Sequence, residues 1–216
     1  MKDRVYFTNS DGVQLKPYAD LGIIVKSYDV SPPMPKIKTV AIDGRDGDLD
    51  LTEWAGEVKF ENRTIKVSFR DMSANQYGTM VNFLLGRSVN IFLADDNLYY
   101  YKGRASMTTA STAMKVTDLD MEFTCNPFKL RKQKTTVEKS LSAASATIPL
   151  KAERMTVTPE ITLTRKKTLK YNGKTWELAA GTYTLSDLKI TDKEAPLVVS
   201  GTNGGKITLT WRDGAL

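Results

Sequence analysis

The chain has 216 residues, 41% hydrophobic and 26% charged, with a formal net charge of +6, the makeup of an ordinary globular protein long enough for one or two domains. It contains no histidine and one cysteine, Cys125, which excludes histidine-dependent triads and zinc hydrolase sites and leaves paired-carboxylate or lysine chemistry without a motif in its favour. The opening MKDRVYFTNSDG has no apolar run behind its positive residues, and no stretch reaches the roughly 18 apolar residues of a membrane span, so the expectation is a protein made in a cytoplasm and not inserted in a membrane.

The first unusual stretch is residues 42–54, IDGRDGDLDLTEW. Asp46, Asp48 and Asp50, with Glu57, have the spacing of calcium ligands at loop positions 1, 3, 5 and 12. The loop fails on two counts. Leu51 stands where the sharp turn needs glycine, and the following EVKFENRTIKVSFR has a strand period where a helix is required. No metal is expected, and the stretch reads as a surface turn rich in Asp and Gly. That reading leaves Arg45 unexplained.

Val58, Phe60, Ile65, Val67 and Phe69 then alternate with polar residues. A tight turn near Asn62 and Arg63 predicts a hairpin with Phe60 opposite Ile65 and Val58 opposite Val67. SANQYGTMVNFLLGR changes period. Tyr77, Met80, Val81, Leu84 and Leu85 form a helical stripe, Ser73 with Gln76 forms a capping box, and Gly86 supplies the stop. SVNIFLADDNLYYYKG predicts a second hairpin turning over Ala94, Asp95, Asp96 and Asn97. In TDLDMEFTC, Leu119, Met121, Phe123 and Cys125 face one way and Asp118, Asp120 and Glu122 the other. Alternate residues on a strand are about 6.6 Å apart, too far for those carboxylates to share one ion, so they mark a wet or interfacial face.

Residues 132–147, KQKTTVEKSLSAASAT, have little to bury and read as a domain connection, giving domains 1–131 and 132–216 with the last strand free to return to the first. Beyond it, short strand-like runs are punctuated by YNGK and NGGK turns, the pattern of a small sandwich or barrel. Residues 1–131 hold 17 basic and 17 acidic residues, so the positive excess is C-terminal, in KLRKQK and RKK among others. Without interleaved aromatics these read as solvated linker and charged strand edges, and no sequence-specific nucleic acid is expected.

Taken in order, IDGRDGDLDLTE, ENRTIKVSF, the helix ending in LLGR, IFLADDNLYYYKGR and MEFTCNPFKLR resemble the N-terminal domain of siphophage distal tail (Dit) proteins over about residues 5–131. The resemblance implies a mostly β fold: an N-terminal β-sandwich-like domain with one α-helix, then a smaller C-terminal β-sandwich, galectin-like or carbohydrate-module-like. It also implies a structural protein of the virion tail tip or baseplate, of phage or prophage origin, assembled in the bacterial host cytoplasm. Such proteins form a homo-hexameric ring between the major tail protein and the tail-associated hub protein, and hold receptor-binding or baseplate proteins. No catalytic residue and no cofactor is implied.

Gly44, Arg45, Asp46 and Gly47 resemble the family's loop, and Arg63 falls at its matching arginine position. A ring needs heterologous contacts, and the planar donor fork of Arg45 suits carboxylate pairing there; pairing of Arg45 with Asp46 inside one subunit is the equal alternative. Asp118, Asp120 and Glu122 offer a candidate partner face. A competing class is a stand-alone carbohydrate-binding sandwich with Tyr171, Trp176, Tyr183 and Trp211 stacking on sugar rings. A third is a glycosidase, for which no distinguishing motif exists.

Overall fold

The computed structural model describes residues 3–54, 56–113, 116–142, 144–201 and 203–216, apart from the side chain of Val116. Two compact units divide the chain, Met1–Lys129 with Leu216 and Leu130–Ala215.

The first unit contains β1 (Val5–Thr8), β2 (Gln14–Leu15), α1 (Pro17–Leu21), β3 (Ile24–Val30), β4 (Thr39–Val40), β5 (Leu49–Asp50), β6 (Arg63–Met72), α2 (Ala74–Leu84), β7 (Ser88–Leu93), β8 (Tyr99–Ala113) and β9 (Val116–Cys125). Its main sheet runs β2-β1-β7-β8-β9-β6-β3. Strict alternation on β9 buries Leu119, Met121, Phe123 and Cys125, as the sequence pattern predicts, against Phe7, Ile65, Val67, Phe69 and Ile91. On β6 the alternation would turn Asp71 inward. A bulge between Phe69 and Met72, with Asp71 at φ 55°, instead brings Met72 into the core.

The expected helix forms as α2. Ser73 accepts from the Gln76 N–H while the Gln76 side chain accepts from the Ser73 N–H, closing the capping box. Met80 and Leu84 are fully buried and Tyr77 and Val81 partly so. Leu85, counted in the predicted stripe, is 41% exposed, because the helix stops at Leu84 and an extended Leu85 points elsewhere. The second predicted hairpin is also present, β7 pairing β8 with Ile91 opposite Tyr101, its turn held by Asp96 Oδ1 accepting from the Leu98 and Tyr99 N–H groups. The short helix α1 was not expected. Its signals were a proline at its first position and Gly22 after its end, at φ 68°.

One predicted hairpin does not exist. Phe60 bridges Pro35, not Ile65, because both edges of β6 are already occupied, by β3 and by β9. The segment through Val58 and Phe60 forms no strand; its one bridge is the one at Phe60.

The second unit is a sandwich of two four-stranded sheets. One is β11 (Thr135–Ser140), β18 (Lys206–Trp211), β13 (Glu160–Leu163) and β16 (Gly181–Thr184) in that order; the other is β12 (Ser145–Leu150), β17 (Ala195–Ser200), β14 (Lys167–Tyr171) and β15 (Lys174–Leu178). Residues from both sheets, Ile148, Leu150, Ile161, Leu163, Leu169, Leu197, Val199, Ile207 and Leu209 among them, form one core. Asn172 and Gly173, at φ 46° and 77°, make the turn that YNGK predicts. β10 (Lys129–Arg131) pairs β19 (Gly214–Ala215) and belongs to neither of these two sheets.

Residues 132–147 are therefore not a bare connection: they supply β11 and the first half of β12, one edge strand for each sheet. An edge strand is half solvated and needs few apolar residues, so its composition resembles a linker.

Candidate assembly surface

Between β3 and β6 the chain leaves the sheet as an arm. Its base is tied by Ser31 N–H to Thr64 O at 2.9 Å. Its rungs run outward through Glu61 N–H to Met34 O and Lys36 N–H to Lys59 O, both 2.7 Å. Farther out, Leu51 N–H donates to Lys38 O at 2.7 Å, and β4 pairs β5 with Val40 opposite Leu49. None of the described residues between 31 and 62 is buried. Met34, Ile37 and Trp54 are 63%, 72% and 82% exposed, and Val40 and Ile42 are exposed as well. Apolar side chains gathered on a segment without a core mark an interaction surface.

Gly44, Arg45, Asp46 and Gly47 form the tip of this arm, between β4 and β5. Gly44 and Gly47 both have left-handed φ, 78° and 74°, which explains the two glycines, and Arg45 N–H closes the turn on Ile42 O at 3.1 Å. No ion pair joins Arg45 to Asp46 among the described residues. The carboxylates do not converge either. Asp50 turns back on Thr52, whose hydroxyl first and whose N–H second, at 2.8 Å, lower its carboxyl pKa, and Glu57 pairs with Lys59. Adding calcium or a chelator is expected to leave the melting temperature unchanged within about 1 °C, since no binding energy is gained by the folded state.

Arg63, expected in an inter-subunit or structural loop, lies elsewhere. It is the first residue of β6 and is 4% exposed, because the strand's inward phase includes it. Its Nε donates to Pro127 O at 2.8 Å and its Cζ sits 5.3 Å from the centre of the Tyr101 ring. Burial lowers the pKa of the guanidinium, and Nη2 has no partner among the described residues. Arg63 ties the segment after β9 to β6; it offers nothing to solvent.

The acidic face of β9 meets cations on its own neighbour. Asp118 binds Arg70 and accepts the Asp71 N–H at 3.1 Å; Glu122 lies 3.8 Å from Lys66. The Asp71 N–H first, and Arg70 second, lower the Asp118 pKa. The associated stability is present at neutral pH and lost as pH falls through that lowered pKa. Asp120 stands opposite Ser68 and Thr109 and has no cation of its own among the described residues.

The aromatic residues considered for sugar stacking divide. Tyr171 and Trp211 are core residues, 2% and 5% exposed, so neither can present a ring to a sugar. Trp176 and Tyr183 are partly buried against the same core. Tyr171 OH donates to Lys189 O at 3.2 Å, and Trp211 Nε1 donates to Asp213 Oδ1 at 3.0 Å. Asp213 is itself buried and also accepts from the Thr135 hydroxyl and from Glu153 N–H at 3.2 Å. Asp213→Ala strands three donors, so a stability loss of about 2–4 kcal/mol is expected, read as a lower urea midpoint for the C-terminal unit.

With the arm and the two β units described, known proteins supply a comparison. No protein-family model matches the chain, and no curated protein matches it by sequence. Among solved structures it resembles SPP1 Dit (gp 19.1), described as a paradigm of the hub adsorption apparatus in phages infecting Gram-positive hosts. The TM-score is 0.59 at 16% identity, over 96% of this chain and 98% of that one. The chain has the Dit fold. The likeness extends through the C-terminal sandwich, beyond the residues 5–131 that carry the resemblance in sequence.

Proposed function

We propose that this chain is a structural component of a siphophage or prophage tail tip. In this reading six copies close a ring that joins the tail tube to the tail-associated hub protein and holds peripheral host-recognition proteins. The observation that carries the reading is the Dit fold across almost the whole of both chains. The solvent-exposed apolar arm supports it, because a ring-forming subunit needs a surface that is uncovered in the monomer. The carbohydrate-binding alternative loses two of its four candidate aromatics to the core, and the structural neighbour is a tail protein, not an enzyme.

Light scattering and negative-stain imaging of concentrated protein test the ring directly. Closed six-fold particles are expected. A folded protein that stays monomeric at high concentration would count against the assignment, and a closed ring of another order would reject only the hexamer.

Arg45 separates assembly from folding. Exposed substitutions away from structural features change stability by about 0.5 kcal/mol or less, so Arg45→Ala is expected to melt like wild type. Loss of a charge-assisted contact of about 1.5–3 kcal/mol at each interface raises the concentration needed for assembly by roughly tenfold or more. A lowered melting temperature with proportionate loss of assembly would instead assign Arg45 to the turn of its own arm.

A further inference from the structure

Two features of the N-terminal unit are only partly paired within their own chain, and each is what the other requires. The first is the outer edge of β8. On one side β8 pairs β9 from Gly103 to Ala113. On the other, its pairing with β7 reaches Arg104, and one bridge joins Ala105 to Leu85. Residues 106–113 therefore present an open row of backbone donors and acceptors with no partner strand among the described residues. Their sequence, SMTTASTA, has no charge and no proline, so it lacks the usual protection of an exposed edge. β3, at the end of the same sheet, is protected: Lys26 sits at a bulge and Asp29 lies on the strand.

The second feature is the arm segment KIKTVAI, residues 36–42. It is rich in β-branched residues, yet its regular ladder is only the two pairs between β4 and β5. A lone two-stranded ribbon is marginal in water, and this one exposes Ile37, Val40 and Ile42. It is a strand-forming segment held only in a two-stranded ribbon, on a chain that also carries an open sheet edge.

We propose that residues 36–42 of one copy add as a strand to residues 106–113 of a second copy. The added strand satisfies the open row of β8 and covers apolar side chains of the arm, the logic of β-augmentation. Donor and acceptor are different surfaces of the same chain, so the contact is heterologous and repeats from copy to copy until it closes. The inference rests on the ring reading and names the surface through which the ring forms.

Single cysteines test it in the full chain. The native Cys125 is buried and its thiol is pushed up to about 12, chiefly by burial, which keeps it out of the exchange. Val40→Cys and Ser111→Cys are made separately, with Ala41→Cys and Ala110→Cys to cover the adjacent register, then mixed under mild oxidation. A disulfide-linked heterodimer is expected only when an arm variant meets an edge variant, and the chain carrying both Val40→Cys and Ser111→Cys should give a covalent ladder of several copies. Particles that assemble without any arm-to-edge cross-link would overturn this inference and leave the ring standing. So would cross-links confined to edge–edge pairs or to a single chain. A protein that remains monomeric throughout would overturn both. Independently, Ala110→Lys with Ser111→Lys charges both faces of the edge. Assembly should be lost at concentrations where wild type assembles, with an unchanged melting temperature; normal assembly of this variant would also overturn the proposal.

Discussion

Leu84→Asp is expected to abolish folding of the N-terminal unit. Leu84 closes the last turn of α2 and is 0% exposed, in a core that also holds Met80, Phe69 and Phe123. Truncating a buried leucine costs about 2–5 kcal/mol. Placing a carboxylate in the same space adds several kcal/mol more, either as desolvation or as the cost of holding the group protonated. The sum approaches the whole stability of about 5–15 kcal/mol of an ordinary domain. Circular dichroism should show the N-terminal transition gone at 25 °C. Leu85→Asp is the control, since Leu85 is 41% exposed and points away from the core, and it should melt within a few degrees of wild type. Equal behaviour of the two variants would mean that the helix is rotated from the position described.

Gly103→Val is expected to lower the melting temperature of the same unit by roughly 10 °C or more, through a loss of about 3 kcal/mol. Gly103 lies on β8 directly opposite Cys125 of β9. A Cβ at Gly103 would stand 2.4 Å from Cys125 Sγ, 2.9 Å from Thr124 O and 3.1 Å from Cys125 Cα. The sulfur can move, but the other two atoms belong to the ladder itself, so the strands must separate at this pair. Cys125→Ala in the Gly103→Val background should therefore restore only part of the loss. A normal melting temperature for Gly103→Val would show that β8 and β9 do not meet in this register.

Much of the fold was legible because its signals are local. The alternation of Leu119, Met121, Phe123 and Cys125 requires only that one face of a strand be buried, and it is. The Ser73 and Gln76 box and the Asn172–Gly173 turn act within four residues of chain, and both are found where they were expected. The five ordered motifs that resemble a distal tail protein agree with the fold now observed. The candidate site was less legible. The glycines of GRDG mark the tip turn, but nothing in that stretch said it would stand at the end of an uncovered arm.

What the sequence determined by itself was the kind of each element: which segments extend, where the long helix starts, and where the chain must turn. These follow from side-chain period, caps and backbone freedom, all set by near neighbours in the chain. Tertiary structure decided partnership. Only the complete sheet shows that both edges of β6 are filled, which sends the Phe60 segment to Pro35 and makes an arm of what reads as a hairpin. Only the two assembled cores show that Arg63, of a type that mostly lies exposed, is buried, and that Tyr171 and Trp211 are core residues and not sugar platforms. Hydrogen-bond partners and burial depend on residues far away in sequence. Residues of similar local pattern, such as those at 58–60 and 65–69, were separated by which edge was still free when the sheet was complete.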